Sequence, residues 1–412
     1  MEHHQSREAA GNDHEAPETE LEMADLIVGG ETSPSDVSER VGRASAETLA
    51  EWQKMEGVRG SVDDFAPELQ VSFAMCKDRD YRPGDKPGED MFLVDKKTGL
   101  TGVFDGLGGE GGGDRASAKA AVEAPRRYEE ALAEVRRMSG ADLARATSEA
   151  IERQAALGHP SVRGALIAGG QKMWDAMPSA LKPEALALYR SVDRLSDDVR
   201  QTSGMTTLTL GKTVALPGGR MFEVVVNVGD SGAFKVRADG SAYELTDEDS
   251  ALDGVLSAGL LTPEEAKNPD HKVRVGPNKE VTVSYLRRAM HQALGGIVAS
   301  PRLSVVEIRP GEKVVYATDG VRDIRAFETD GHFDPAKAAA KMFDSHERNP
   351  ASALAEAAVD VERGEKDAWG IESARAEIAG TKPDVSKKPK QDEKTVLVKE
   401  RLADVADLES TT

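Results

Sequence analysis

The chain has 412 residues, with 53 Lys and Arg against 73 Asp and Glu, a formal net charge of −20 at pH 7. That acidity argues against nucleic acid and anionic membrane surfaces as partners, because their phosphates would be repelled unless a metal or a local basic patch intervened. The single cysteine, Cys76, excludes an internal disulfide, a four-cysteine zinc site and a CxxC redox motif.

The charge is unevenly spread. Residues 1–70 hold 17 acids and 5 bases, a net of −12, so the rest of the chain carries −8. The first 40 residues are rich in Glu, Ser, His, Pro and Gly and are expected to stay disordered, since they bury too little apolar surface to offset ordering entropy. His3, His4 and His14 belong to this solvated tail. A helix over 44–56 is predicted, anchored by Trp52. No run approaches the roughly 18–20 apolar residues of a membrane span. MEHHQSREAA carries no basic-then-apolar signal, so a cytoplasmic protein is expected.

From residue 69 the pattern changes. LQVSFAMC alternates as a half-buried strand does, which makes Cys76 an inert core thiol. MFLVD (91–95) and LTGVFD (100–105) are two more strands. Residues 114–200 read as Ala-rich helices, with breaks near Gly140, Gly158–Pro160, Gly169–Gly170 and Pro178–Pro183. Strands return over 205–238. A helical start is predicted at LTPEEA (261–266), with Pro263 in its first turn. LSVVEI (303–308) and KVVYATD (313–319) are strands, 335–362 is helical and KTVLV (394–398) is a final strand. The residues after it, KERLADVADL, form a closing helix or tail. This divides the chain into an acidic leader (1–65), one large domain (66–400) and a C-terminal helix or tail (401–412).

Strands in blocks separated by helices in blocks are not the βαβ alternation of a doubly wound sheet. They predict an α+β fold, a four-layer α/β/β/α sandwich of two antiparallel sheets flanked by helices.

Two motifs mislead. Gly106–Gly111 (GLGGEG) fits GxGxxG after a strand, but Asp105 at the turn would repel a pyrophosphate and no second strand follows to bring an acid to a ribose. Gly229-Asp230-Ser231-Gly232 matches the GDSG of serine proteases, yet none of the eight histidines offers an obvious base.

What remains is a series of acids at strand ends: Glu89 and Asp90 before MFLVD, Asp105 closing LTGVFD, Asp230 after FEVVVNVG, Asp319 and Asp323 after KVVYAT, and Asp392 before KTVLV. Converging carboxylates repel one another and are raised in pKa unless cations neutralise them. Hard oxygen donors of this kind suit Mg²⁺ or Mn²⁺. Taken singly, each Asp-Gly pair is an ordinary turn.

In sequence order, Glu89-Asp90, Val103–Gly109 (VFDGLGG), Gly204–Thr207 (GMTT), Asn227–Ser231 (NVGDS), Leu245–Asp247 (LTD), Ala293–Gly295 (ALG), Ala317–Asp323 (ATDGVRD) and Asp392–Thr395 (DEKT) resemble the motifs of the metal-dependent protein phosphatases, the type 2C serine/threonine phosphatases. The set covers about 70–398. Residues 252–266 also resemble the flap of bacterial members. The resemblance implies a β-sandwich flanked by helices and two Mg²⁺ or Mn²⁺ ions, with a third in some members. It assigns Asp105 as the bridging ligand and the Gly106 carbonyl as a ligand to one ion. Asp319 and Asp392 would bind the other ion, and Glu89 and Asp90 would hold waters or the ions themselves. Asp230, Asp319 and Asp323 would hold the third. Asp105, Asp319 and Asp90 are thus the expected catalytic set.

The implied activity is hydrolysis of phosphoserine and phosphothreonine in proteins by a water activated between two metals roughly 3.5–4 Å apart, without a phosphoenzyme. A Ser/Thr kinase would be the counterpart, and the chain is expected to act as a monomer. The chain departs from the family at three places. Leu107 stands where many members have His. Lys86 and Asp85 occupy the positions of the phosphate-binding Arg, which leaves Arg79, Arg82 or Lys86 as the substrate-binding cation. Glu393 replaces the usual Asn or Asp. These departures leave a second reading open, a catalytically weak phosphatase-fold scaffold or regulatory binding protein.

Overall fold

A computed structural model of the chain describes residues 26–27, 57–66, 68–76, 88–107, 112–157, 160–161, 163–246, 250–268, 270–276, 279–283, 286, 292–296, 299–329, 332–344, 349–378 and 394–402. Arg79, Arg82, Lys86, Asp392, Glu393 and the helix expected over 44–56 lie outside them.

Alternation sets the core of β3 (Leu69–Cys76): Leu69, Val71, Phe73 and Met75 are all buried toward the inside of a sandwich. Ala74 faces the other side and packs under helices. Across the interior, Phe92 of β4 (Asp90–Asp95) stacks on Phe73 with ring centroids 4.6 Å apart, a pairing worth about 0.5–1.5 kcal/mol beyond burial.

The first sheet has the order β1 (Leu26–Ile27), β4, β5 (Leu100–Leu107), β7 (Leu208–Ala215), β8 (Met221–Val228), β13 (Arg302–Ile308), and the short β6 (Met205–Thr206) pairs with the end of β5. The second has the order β10 (Ala242–Glu244), β9 (Gly232–Val236), β14 (Lys313–Ala317), β17 (Lys394–Arg401), β3, β2 (Gly57–Ala66). Every pairing is antiparallel. Two small hairpins complete the strands: β11 (Lys272–Gly276) with β12 (Lys279–Thr282), and β15 (Glu328–Thr329) with β16 (His332–Phe333).

Helices α1 (Gly113–Val135), α2 (Gly140–Ala155), α3 (Arg163–Ala176) and α4 (Lys182–Val199) cover the first sheet through an Ala- and Leu-rich core. α5 (Ala251–Ser257) packs in a separate apolar cluster with the β11–β12 hairpin. The four-residue α6 (Asp319–Arg322), α7 (Pro335–Asp344) and α8 (Pro350–Ile378) cover the second sheet. The result is the four-layer α/β/β/α sandwich predicted from the blocks of strands and helices. Among the described residues, no helix is long and apolar enough to cross a membrane.

The details differ from the sequence reading in five places. Leu26 and Ile27, inside the stretch expected to stay disordered, pair as β1 with Asp95 and Val94 of β4. The second sheet takes in β2 from Gly57, ahead of the boundary drawn at 66. Its alternation is interrupted by a register shift between Val62 and Ala66, and Val62 and Phe65 are the buried residues that anchor it. Gly169 and Gly170 do not break α3, because Gly170 lies against α2: a Cβ there would stand 2.9 Å from Ile151 Cγ2. LTPEEA gives a 3₁₀ turn, Glu265–Lys267, rather than an α-helix. Thr262 and Glu265 cap each other across it: the Thr262 N–H and hydroxyl donate to Glu265 Oε2 at 2.9 and 2.7 Å, and the Glu265 N–H donates to Thr262 Oγ1 at 3.3 Å.

Finally, Lys399–Arg401 continue β17 instead of starting a helix. Lys399 points into the sandwich, where its ammonium donates to Glu223 Oε1 at 2.6 Å and Thr213 Oγ1 at 2.7 Å. Tyr316 Oη donates to the same Glu223 oxygen at 2.5 Å. A polar network thus links β7, β8, β14 and β17 between the sheets. Burial holds the Lys399 ammonium down to about 8.

Candidate active site

The antiparallel ladders carry the strand-end acids to one end of the sandwich. β4 begins there, at Asp90, and its cross-strand partner is Asp105 near the end of β5. β8 leaves the ladder there at Val228, opposite Leu208. β9 enters at Gly232, opposite Ala317, the last residue of β14. Asp319 follows two residues later and opens α6. β17 starts at Lys394, opposite Cys76. Asp392, two residues earlier in the chain, lies outside the described residues.

Asp90 is 1% exposed and is held by hydroxyls from the other sheet. Thr318 Oγ1 donates to Asp90 Oδ2 at 2.9 Å and Thr395 Oγ1 donates to the same oxygen at 2.7 Å. The Thr395 N–H in turn donates to Thr318 Oγ1 at 3.1 Å. One carboxylate of the first sheet therefore fixes the ends of β14 and β17 in the second.

Asp105 is 5% exposed, and its main chain is locked by the GMTT segment. Its N–H donates to Thr207 Oγ1 at 3.0 Å, and its carbonyl accepts from the Thr207 N–H at 2.8 Å and Thr206 Oγ1 at 2.9 Å. The next residue admits no side chain. A Cβ on Gly106 would stand 2.2 Å from the Gly113 carbonyl oxygen and 2.6 Å from that of Glu89. The Gly106 N–H donates to the Glu89 carbonyl at 3.0 Å. Glu89 itself packs beside Gly113, where a Cβ would lie 2.9 Å from Glu89 Cδ. Glycine at 106 is thus the condition for bringing Asp105, Glu89 and the start of α1 together.

Asp319 is buried and Asp323 half-buried, and the Asp323 N–H closes the turn on the Asp319 carbonyl at 2.7 Å. Asp230 is half-buried in the turn between β8 and β9. Ser231 beside it is fully buried and its hydroxyl is shared with Thr207 Oγ1 at 2.8 Å. That setting suits a structural hydroxyl and disfavours the nucleophile that GDSG suggested.

The donors that these elements bring to this end are carboxylates and a backbone carbonyl, hard oxygens that suit Mg²⁺ or Mn²⁺ in kind. Asp90 and Asp105 directly opposite each other are destabilising as a pair of like charges, and a divalent cation beside them would remove that penalty. Among the described residues no three His, Cys, Asp or Glu side chains are clustered as a metal centre.

Sequence reasoning gave no role to Thr206, Thr207, Thr318 and Thr395. All four stood inside the quoted motifs, but only Thr318 stands next to an acid in the chain; Thr206, Thr207 and Thr395 meet theirs only in the fold. Cys76 is half-buried at this end, and burial, aided by the nearby Glu356 carboxylate, pushes its thiol up to about 11. That agrees with an inert role.

No family model matches the chain, and no curated protein matches it. Among solved structures it is similar to a PPM Ser-Thr phosphatase, MsPP from Mycobacterium smegmatis in complex with cacodylate, at 19% identity over 80% of this chain and 97% of that one, with a TM-score of 0.41. It is also similar to the catalytic domain of the serine/threonine protein phosphatase PstP in complex with two manganese ions, at 19% identity over 81% and 99% of the two chains, with a TM-score of 0.39. A third is the serine/threonine phosphatase Stp1 from Staphylococcus aureus, at 15% identity over 81% and 94%, with a TM-score of 0.39.

Proposed function

We propose that the chain is a metal-dependent protein serine/threonine phosphatase. The observation that carries this reading is the buried Asp90–Asp105 pair at the end of a two-sheet sandwich, in a chain whose motifs follow the type 2C order from Glu89 to Thr395. Asp105, the Gly106 carbonyl, Asp90, Glu89, Asp319 and Asp392 would hold two Mg²⁺ or Mn²⁺ ions, and Asp230 and Asp323 with Asp319 would hold a third. Such ions, when bound, supply Lewis acidity that acidifies water and neutralises phosphoryl oxygens.

The chain's own residues contribute position. Thr318 and Thr395 orient the Asp90 carboxylate, and the Thr206–Thr207 backbone and hydroxyls fix Asp105. Arg79, Arg82 or Lys86 would bind the phosphate of a phosphoserine or phosphothreonine protein. A buried, hydrogen-bonded Ser231 and a Cys76 thiol pushed up to about 11 favour attack by water over a phosphoenzyme. A single phosphatase domain, which takes in β1 and β2 from the acidic N-terminal stretch, would act as a cytoplasmic monomer.

The second reading, a weakly active scaffold on the same fold, is favoured by Leu107 and by Asp85 and Lys86 where the family has His and Arg. Hydrolysis of p-nitrophenyl phosphate by the purified full chain across a Mn²⁺ titration separates the two. Turnover that depends on Mn²⁺ supports the enzyme, and none at saturating Mn²⁺ leaves the scaffold.

A further inference from the structure

We propose that Arg322 is a positioning residue for the acidic end of the sandwich, a role that rests on the metal-dependent reading above. Arg322 lies between Asp319 and Asp323 and is 2% exposed. A buried guanidinium is costly unless it is paired. Here Nη2 donates to Glu244 Oε1 at 2.7 Å, and the guanidinium carbon sits 4.7 Å from the centre of the Phe333 ring. Its tip also rests on Gly232, where a Cβ would stand 2.4 Å from Nη1 and 2.7 Å from Cζ. Any larger residue at 232 would displace it.

These partners belong to three different elements. Glu244 closes β10, Phe333 lies in β16, and Gly232 opens β9 directly after Asp230 and Ser231. The β9–β14 ladder ends at the Gly232–Ala317 pair. Beyond it the chain leaves the sheet on both sides, toward Asp230 on one and Asp319 on the other. α6 has four residues, too few to hold its own direction. Arg322 crosses back from the end of α6 to Gly232 and closes that gap. One side chain thereby sets the turn carrying Asp319 and Asp323 against the turn carrying Asp230. Replacing a group bonded directly to a metal ligand typically costs roughly 10–100-fold in metal affinity, which sets the upper range for Arg322, whose contacts hold the turns rather than the ligands.

The test uses the full chain and the variants Arg322→Met, Arg322→Lys and Glu244→Gln. Two readouts are followed as Mn²⁺ is raised: the rise in melting temperature, which needs no activity, and the hydrolysis of p-nitrophenyl phosphate. Arg322→Met is expected to need more Mn²⁺ in both readouts, by up to roughly 100-fold, and to regain most of its turnover at saturation. Arg322→Lys should recover part of the loss, and Glu244→Gln should move the same way by less. If Arg322→Met does not fold, the other two variants decide by the same readouts. Wild-type Mn²⁺ dependence in the folded variants, with a wild type that responds to Mn²⁺, overturns the role of Arg322 alone. A wild type whose melting and turnover are both indifferent to Mn²⁺ overturns the metal-dependent reading, and this role with it.

Discussion

Asp90 and Asp105 stand opposite one another on adjacent strands, buried at 1% and 5% exposure, with two threonine hydroxyls of the other sheet converging on a single oxygen of Asp90. A fold concerned only with stability has little use for two carboxylates so placed. The hydroxyls do not neutralise the charge. They fix where Asp90 points, as is expected of groups around a metal ligand.

Replacing those hydroxyls should therefore weaken metal binding as well as the fold. Thr318→Val and Thr395→Val keep the shape of the side chain and remove the donor. Each is expected to raise the Mn²⁺ requirement by roughly tenfold or more and to cost about 1–3 kcal/mol of stability for the lost bond to a charged group. Isothermal titration with Mn²⁺ and urea unfolding measure the two effects separately. Unchanged Mn²⁺ affinity in both variants would show that Asp90 is not oriented through these threonines.

The Lys399–Glu223 pair makes a different prediction, because it lies between the sheets, five residues along β17 from its site end at Lys394. Lys399→Met leaves a buried carboxylate without its cation and should cost about 3–5 kcal/mol. The double variant Lys399→Met, Glu223→Gln should lose less than the sum of the two single variants, since the pair is coupled. Urea unfolding checks both. Additive losses would mean that the two side chains are stabilised independently.

Cys76 should be unreactive in the native state. Its ordinary value of 9.0 is pushed up to about 11, so the thiolate fraction near pH 8 falls roughly 100-fold relative to an unfolded thiol. Because folding raises this thiol's pKa, its contribution to stability is fully present below pH 9 and is lost as pH rises through about 11. Labelling by a thiol-reactive disulfide at pH 8, native against urea-unfolded, reads this directly. Equal rates would contradict the burial of Cys76.

The parts of this architecture that were legible in the sequence are those where one physical signal dominates. β3, β4, β5 and β14 alternate or run apolar because one or both faces are buried, and the strand-end acids stand out as an ordered set, since each Asp-Gly pair alone is an ordinary turn. The rest was hidden where two signals compete. The register shift in β2 breaks its period, so nine of its ten residues read as leader. Lys399 looks like a surface charge until its partner on β8 is seen. Gly170 reads as a helix breaker, yet it is a contact point with Ile151. The pairing of these threonines with the strand-end acids was invisible because the partners lie up to 305 residues apart in sequence.

The most direct measurement is phosphate release from a phosphothreonine peptide by the purified full chain, with Mn²⁺ and with chelator, beside the variants Asp105→Asn and Asp319→Asn. The account predicts release that requires Mn²⁺ and is abolished in each variant, with melting temperatures no lower than that of the metal-free wild type. Release that persists in chelator, or full activity in either folded variant, would contradict it.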